Sequence, residues 1–260
     1  MRKSVGVINR VVYAGLFLLV VILVWFAATQ WLGVISPIRF PSPVDTLRAF
    51  EQIAIAGYSN GRLHEHVFQS LMLVTLSFSV SATLGIALGI AMGANRRVEI
   101  LFNPVFSTLR PIPPLAWIPL AIVWLGLENA AKVMVIFVAA FVPAVINTFS
   151  GIRSLEVPQR EAAQMLGISR KSYYLEVLIP AALPMIFTGL RLSLQASWTT
   201  LVAAELVGAI LGLGSILNQA AQDINPPMIL IGMISVAICG WVMTEGLARI
   251  ERVSMPWRAS

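Results

Sequence analysis

Long apolar stretches alternate with short polar connections along almost the whole chain. Six of the stretches are long enough to cross a bilayer as helices, since a hydrocarbon core of about 30 Å requires roughly 20 helical residues. They cover residues 11–28, 67–93, 100–127, 133–152, 184–209 and 228–247. The pattern predicts an all-α, polytopic membrane protein of about six transmembrane helices, built as a single domain over residues 1–260.

The composition agrees with a chain dissolved in lipid. Hydrophobic residues make up 58% of the chain and charged residues 12%, whereas roughly 25% of a soluble domain is charged. The net charge of +6 comes from basic residues beside the apolar stretches, which indicates membrane topology and not a nucleic-acid-binding surface. Cys239 is the single cysteine, so an intrachain disulfide is excluded.

Basic residues in the connections predict the orientation, because basic side chains beside a span resist translocation. The side that carries the two termini holds twelve of them, and the opposite side holds only Arg39, Arg48, Arg62 and Lys132. Both termini are therefore predicted to be cytoplasmic.

The external connection, residues 36–62, is long enough to contain a helix of its own. Several prolines near its start interrupt any earlier helix. Residues 45–56 then place Leu47, Phe50, Ile53 and Ala54 on one helical face. This pattern predicts an interfacial helix outside the bilayer.

The cytoplasmic connection, residues 153–183, is the largest polar segment in the second half of the chain. Residues 161–166 are strong helix formers, and Gly167 ends that helix because glycine takes the left-handed conformation at little cost. Ser169 is predicted to cap a second helix that ends near Pro180. Pro184 suits the first turn of the next span.

The helix before Gly167 resembles a known docking element. It exposes apolar side chains without a core of its own, which predicts a groove on a partner. Glu161-Ala162-Ala163, Gly167 and Val177-x-Ile179-Pro180 resemble the EAA loop of permeases of binding-protein-dependent ABC importers. The consensus has Ile and Leu at the positions of Val177 and Ile179, so both departures are conservative. In that family the helix docks in a cleft of the ATP-binding subunit, and the fold is the type I importer (MetI-like) transmembrane domain. The coupling residues that the resemblance implies are Glu161, Ala162, Ala163, Met165, Leu166 and Gly167.

Three further segments are similar to one branch of that family. Residues 110–120, 200–206 and 212–214 resemble permeases that import taurine, alkanesulfonates, nitrate and related small anions, and the Pro256-Trp257 pair is most similar to the taurine permeases. The resemblance implies import of a small anion, with taurine or another sulfonate favoured and nitrate or an aromatic carboxylate as alternatives. It also implies that an external binding protein selects the substrate.

The same resemblance implies the partners and the location. They are a second copy of the chain, two ATP-binding cassette subunits and a periplasmic binding protein, assembled in a bacterial inner membrane. The chain itself is predicted to be a transport subunit without catalytic residues, metal or cofactor, and ATP and Mg²⁺ are expected on the ATPase. Its three lysines follow Arg, Ala and Arg, so no Gly-x-x-x-x-Gly-Lys-Ser/Thr phosphate loop is present.

Prolines interrupt the third apolar stretch. Pro111, Pro113, Pro114 and Pro119 remove backbone donors at membrane depth, where unsatisfied carbonyls persist only beside protein or a water-filled cavity. A broken span that faces the transport path is predicted, and a kinked helix packed on its neighbours is the alternative. The candidates for the path or its gate are Arg110, Pro113, Pro114, Trp117 and Glu205.

Two charged members of this set have open alternatives. Arg110 lies about 15 Å along its span if helical, where a charge costs about 3 kcal/mol. It is predicted to attract the passing anion or to close a gate by pairing with a carboxylate, with a structural ion pair or backbone hydrogen bonds as the alternative. Glu205 is predicted at the external mouth or a subunit interface, either in gating or in a structural hydrogen bond.

Two other classes of protein compete with the importer. An ion-coupled secondary transporter requires carboxylate relays at mid-membrane and often inverted repeats, but only Glu205 comes near such a position and no repeat is evident. A non-transporting membrane scaffold is disfavoured by the proline-broken span. Gly85, Gly89 and Gly93 recur every four residues, which predicts close helix packing, more readily within one subunit than between two.

Overall fold

The computed structural model describes residues 2–32, 36, 39–154, 165 and 167–258. Within these residues the chain is helical, and its only β-type pairing is one bridge between Tyr58 and Gly61. The helices are α1 Arg2–Phe26, α2 Pro43–Ile55, α3 Leu63–Ala94, α4 Arg96–Leu109, α5 Ile118–Leu125, α6 Asn129–Arg153, α7 Ile179–Gly208, α8 Leu213–Gln222 and α9 Pro226–Ser254.

Four helices are long and apolar enough to cross a membrane. They are α3, α6, α9 and a continuous helix, Tyr173–Gly208, made of α7 and the π-helical turns before it. A fifth crossing is formed if α4 and the helical segment Pro114–Leu125 count as one bent span. The predicted first span coincides with a shorter apolar helix, Gly15–Trp31. The predicted all-α, polytopic fold is confirmed, with up to five rather than six such spans among the described residues.

The centre of the fold is formed by α3, α6 and α7, which pack against one another along their lengths. The glycine stripe of α3 lies on α6: a Cβ on Gly89 would approach the Thr148 Cβ to 2.6 Å and the Val145 carbonyl oxygen to 2.8 Å. Gly85 and Gly93 face Ala144 and Ile152 of the same helix in the same way. The prediction that the stripe packs within the subunit is confirmed.

The third apolar stretch is broken, as predicted. Helix α4 ends at Leu109, and the chain resumes as a short 3₁₀ helix, Pro114–Trp117, that leads into α5. The two parts are bent by 87°. The proline run occupies the bend, because a residue without an N–H cannot continue the hydrogen-bond ladder of α4.

Ion pairs join neighbouring helices. Glu99 of α4 accepts a hydrogen bond of 2.6 Å from Arg153 of α6, whose guanidinium also lies 5.1 Å from the Phe149 ring centroid. Arg191 of α7 forms an ion pair with Glu251 of α9. These pairs tie α4 to α6 and α7 to α9.

The predicted external helix exists as α2, Pro43–Ile55. Ser42 accepts a hydrogen bond of 3.1 Å from the Asp45 backbone N–H, so the helix starts two residues earlier than predicted. Leu47 and Phe50 are exposed, and the buried positions are Thr46, Ala49 and Ile53. Helix α2 packs against α9, and Leu47 and Phe50 remain exposed on its surface.

The second cytoplasmic helix does not end at Pro180, so that prediction was wrong. Ser169 caps it as predicted, with its Oγ accepting the Ser172 backbone N–H at 3.2 Å. The chain then forms π-helical turns, Tyr173–Leu178, and continues directly into α7. Pro180 falls where the hydrogen-bond pattern changes from π to α, so its missing N–H interrupts little. Pro184 consequently lies inside α7 and not at its start.

Candidate functional site

The predicted coupling loop lies largely outside the described residues, which include neither Glu161, Ala162, Ala163 nor Leu166. Two of its members are described. Met165 is 87% exposed, and Gly167 has φ +65 with nothing within 4 Å of an added Cβ. Gly167 therefore takes the left-handed conformation that the sequence predicted for it.

Three of the predicted path residues meet in one groove. Arg110, Pro113 and Pro114, all at the break of the third span, line an open cavity of about 550 Å³. Its other walls are formed by α6, around Pro143 and Asn147, and by α7, from Leu192 to Thr200. The break therefore faces a groove along the centre of the subunit.

Arg110 supplies the charge of this groove. It is exposed at the C-terminal end of α4, and among the described residues no carboxylate lies within ion-pair distance of its guanidinium. Its cationic donors are thus available to a ligand in the groove.

Trp117 borders a second cavity next to the groove. This cavity, about 510 Å³, is lined almost entirely by apolar and aromatic side chains of α3, α4 and α6, and Arg110 reaches its edge. The half-buried Trp117 ring packs against a small cluster that includes Ile118, Ala131 and Ala204. It anchors the segment after the break to α6 and α7.

Glu205, the fifth predicted path residue, does not line the groove. It is fully buried at the end of α7. Its carboxylate accepts the Ser70 hydroxyl at 2.8 Å and the Gly214 backbone N–H at 2.7 Å. Of the predicted alternatives, the geometry matches a structural hydrogen bond within the subunit.

Glu205 is one of three side chains that accept hydrogen bonds from successive backbone N–H groups at the start of α8. The Gly212 N–H donates to His66 Nδ1 at 3.0 Å, and the Leu213 N–H donates to Ser70 Oγ at 2.9 Å. The next N–H along the chain, that of Gly214, donates to Glu205. The first turn of a helix has no intrahelical partners for these groups. Helix α8 is therefore fixed to α3 and α7 by buried hydrogen bonds.

Tyr58 connects His66 to the end of α8. His66 Nε2 donates to the Tyr58 carbonyl oxygen at 2.9 Å, and the Tyr58 hydroxyl donates to Asp223 at the end of α8. Burial, followed by this hydrogen bond and the negative charge of Asp223, raises the pKa of the Tyr58 hydroxyl above its ordinary value. The phenol stays protonated and keeps donating.

Comparison with known proteins decides the family. Residues 81–251 match the family model described as binding-protein-dependent transport system inner membrane component. The chain belongs to this family of ABC importer permeases. The match covers the broken span and α6 to α8, so the groove and the start of α8 lie inside it, whereas His66 and Ser70 precede it.

Three relatives share about a third of their residues with this permease. The taurine transport system permease of Escherichia coli (strain K12) is 35% identical over 92% of this chain and 87% of its own. An aliphatic sulfonates transport permease of Bacillus subtilis (strain 168) is 34% identical over 95% of this chain and 88% of its own. A nitrate import permease of Synechocystis sp. is 35% identical over 84% of this chain and 81% of its own.

A solved structure supports the fold independently. An inward-facing conformation of the MetNI methionine ABC transporter matches with a TM-score of 0.63 and 20% identity, over 74% of this chain and 95% of that one. At this identity the likeness shows the fold of the permease and nothing of its substrate.

Sequence reasoning missed four residues that the structure places at these sites. Asn147 and Gln195 line the groove, and His66 and Ser70 hold the start of α8. The two amides carried a signal, because an amide inside a long apolar stretch is costly in lipid and requires a partner or water. His66 and Ser70 lie one helical turn apart on α3, but their partners at the start of α8 are 146 and 143 residues away in the chain, which no local pattern indicates.

Proposed function

We propose that this permease provides the membrane pathway of an ATP-driven importer for a small anion, with taurine or another sulfonate favoured and nitrate or an aromatic carboxylate as alternatives. The observation that carries the proposal is Arg110 in the groove at the broken span, without an ion pair among the described residues. A fixed positive charge in a groove with low-dielectric walls concentrates anions. Relatives named for taurine, aliphatic sulfonates and nitrate point in the same direction.

The proposed assembly contains two copies of the permease, two ATP-binding cassette subunits and an external binding protein in a bacterial inner membrane. The open groove supports this arrangement, since a second copy across it would close a shared path lined by Arg110, Pro113 and Pro114. Both termini are placed in the cytoplasm on the count of basic residues. Glu205 contributes from a distance by fixing the loop after α7.

In this proposal the segment from Glu161 to Gly167 transmits the work of the ATPase, which holds the ATP and Mg²⁺. The exposure of Met165 supports a role in contacting a partner. ATP binding draws the two coupling segments together and shifts the population from an inward-open to an outward-open groove.

The test is uptake of labelled taurine, ethanesulfonate, nitrate and benzoate by a bacterial strain that lacks its own importers and expresses the permease with its ATPase and binding protein. Arg110→Ala is expected to lower uptake about tenfold or more, the effect of losing a charge-assisted contact. Arg110→Lys is expected to retain more uptake, because the charge is kept and only the planar donor fork is lost.

Arg97→Ala is the matched control, because Arg97 is exposed on the same helix but does not line the groove. Assembly of every variant with the ATPase is measured separately. Normal uptake in an assembled Arg110→Ala variant would refute the proposed role of the groove.

A further inference from the structure

The groove at the broken span combines one polar cluster with apolar walls. Its volume of about 550 Å³ falls in the range of about 300–1,000 Å³ that is typical of small-molecule sites. Arg110, Asn147 and Gln195 contribute the polar cluster, and side chains such as Ile146 and Leu192 contribute the apolar walls. A site of this composition suits a small ion that has a charged head and a carbon chain.

The two amides have unused hydrogen-bonding groups. Asn147 donates one Nδ2 hydrogen to the Pro143 carbonyl oxygen at 2.9 Å, which leaves its second N–H and its oxygen. The Gln195 side chain is exposed and forms no hydrogen bond within the described residues; only its backbone carbonyl accepts, from Thr199 at 3.0 Å. Together with Arg110, the amides therefore offer several donors to a ligand.

The position of Gln195 argues that this face of α7 does not contact lipid. Gln195 lies within the continuous helix Tyr173–Gly208, and an unpaired amide in the hydrocarbon region is strongly unfavourable. The exposed face of α9, by contrast, is apolar and includes Met233, Ile238 and Trp241. The α9 face suits acyl chains, whereas the Gln195 face suits water and a polar ligand.

Close packing fixes Asn147 at the edge of the groove. A Cβ on Gly189 would lie 2.7 Å from the Asn147 Cβ and 3.2 Å from the Pro143 carbonyl oxygen. The missing side chain at Gly189 thus lets α7 approach α6 at this level. Asn147 is held between the two helices with its amide at the groove.

We propose that the groove is an oxyanion-binding site within the permease itself, selective for small organic sulfonates. The guanidinium of Arg110 and the N–H groups of Asn147 and Gln195 bind the sulfonate oxygens, and the apolar walls receive the short carbon chain. The described lining of the groove contains no carboxylate, so a cation finds no counter-charge there. An inorganic oxyanion such as nitrate binds the same donors but leaves the apolar walls unfilled.

The inference rests on the proposed function, in which the groove is the transport path, and adds a selection step to that of the external binding protein. It therefore predicts that the ratio of ethanesulfonate to nitrate transport changes with residues of the permease. The affinity of the binding protein for each ion stays the same, because the binding protein is not altered.

The experiment uses the complete transporter, with its ATPase and binding protein, in proteoliposomes. ATP-driven uptake rates of labelled ethanesulfonate and nitrate are measured for wild type, Gln195→Glu, Gln195→Lys, Asn147→Leu and Leu192→Asn, with the binding protein saturated by each ion. Thr188→Val is the matched control, since Thr188 is exposed on the same helix but outside the groove lining.

Gln195→Glu is expected to lower the rate of ethanesulfonate uptake about tenfold or more, by charge repulsion and loss of a donor, and Gln195→Lys is expected to raise it. Asn147→Leu is expected to reduce uptake of both oxyanions, and Thr188→Val to change neither. Leu192→Asn is expected to reduce ethanesulfonate uptake more than nitrate uptake, because it removes part of the apolar wall. A folding defect moves the two Gln195 variants in the same direction, so opposite shifts identify the charge effect. Equal uptake rates and an unchanged ethanesulfonate-to-nitrate ratio in all variants would overturn the inference, whereas a wild-type transporter that moves no oxyanion would refute the proposed function itself.

Discussion

The Glu205 carboxylate and the Gly214 backbone N–H form a hydrogen bond of 2.7 Å that is closed to solvent. The space is so narrow that a Cβ on Gly214 would lie 2.8 Å from the Val202 carbonyl oxygen. The pair joins the end of α7 to the start of α8. The Ser70 hydroxyl of α3 also donates a hydrogen bond to Glu205, so α3 is joined to the same two helices. The loop between α7 and α8 is therefore fixed to the centre of the fold.

Glu205→Ala is expected to lower the stability of the permease substantially. The substitution leaves the Gly214 N–H and the Ser70 hydroxyl buried without this acceptor, at about 1–3 kcal/mol for each group. Thermal unfolding of the purified permease in detergent measures the effect. Glu51→Ala is the control, because Glu51 is exposed on α2 and its removal buries no unpaired group.

Gly89→Ala is expected to destabilise the contact between α3 and α6. The added methyl group would lie 2.6 Å from the Thr148 Cβ, and overpacking of this kind costs about 1–3 kcal/mol. Gly246→Ala on α9 has nothing within 4 Å of the added Cβ and is expected to be neutral or slightly stabilising, since alanine favours a helix. Equal unfolding temperatures for the two variants would contradict this account of the glycine stripe.

The features that the sequence predicted correctly depend on local chemistry. The apolar stretches are recognisable because a helix in lipid requires apolar side chains. The broken span follows from four prolines within nine residues, and the left-handed conformation of Gly167 follows from its missing side chain. Each of these is decided by residues close together in the chain. The stripe from Gly85 to Gly93 also required only the period of a helix, although its partner, α6, became visible only in the structure.

The features that the sequence did not predict depend on distant contacts. Nothing near Glu205 indicates that Ser70 and Gly214 surround its carboxylate. The contact of α2 with α9, and the burial of Thr46, Ala49 and Ile53, likewise join residues far apart in the chain. Pro180 continues a helix because π-helical turns precede it, a backbone choice that the sequence did not reveal.

The pair formed by Glu99 and Arg153 is expected to couple more strongly than an exposed pair. The Glu99 side chain is only 11% exposed and its distance to Arg153 is 2.6 Å, whereas Glu245 and Arg249 lie 3.5 Å apart with 37% and 74% of their side chains exposed. Double-mutant cycles to alanine are expected to give about 1 kcal/mol for the first pair and under about 0.5 kcal/mol for the second. The reverse order would contradict the docking of α4 on α6 through Glu99.

Substitution of Gly167 is expected to weaken the contact with the ATPase in a graded order. A residue with a Cβ pays about 1–2 kcal/mol in the left-handed conformation, and asparagine tolerates it better than alanine or valine. The amount of ATPase that co-purifies with the permease from membranes is therefore expected to be highest for wild type. It is expected to fall progressively for Gly167→Asn, Gly167→Ala and Gly167→Val. Gly15→Ala, at a position on α1 with nothing within 4 Å, is the control.

The central claim is that this permease moves its substrate at the expense of ATP hydrolysed by a partner. The most direct measurement is uptake of labelled ethanesulfonate into proteoliposomes that contain the permease with or without the ATPase and loaded binding protein. We predict uptake only when ATP, the ATPase and the binding protein are all present, and its loss when residues 161–167 are replaced by a flexible linker. Uptake by the permease alone, driven by a proton or sodium gradient and indifferent to ATP, would contradict the account.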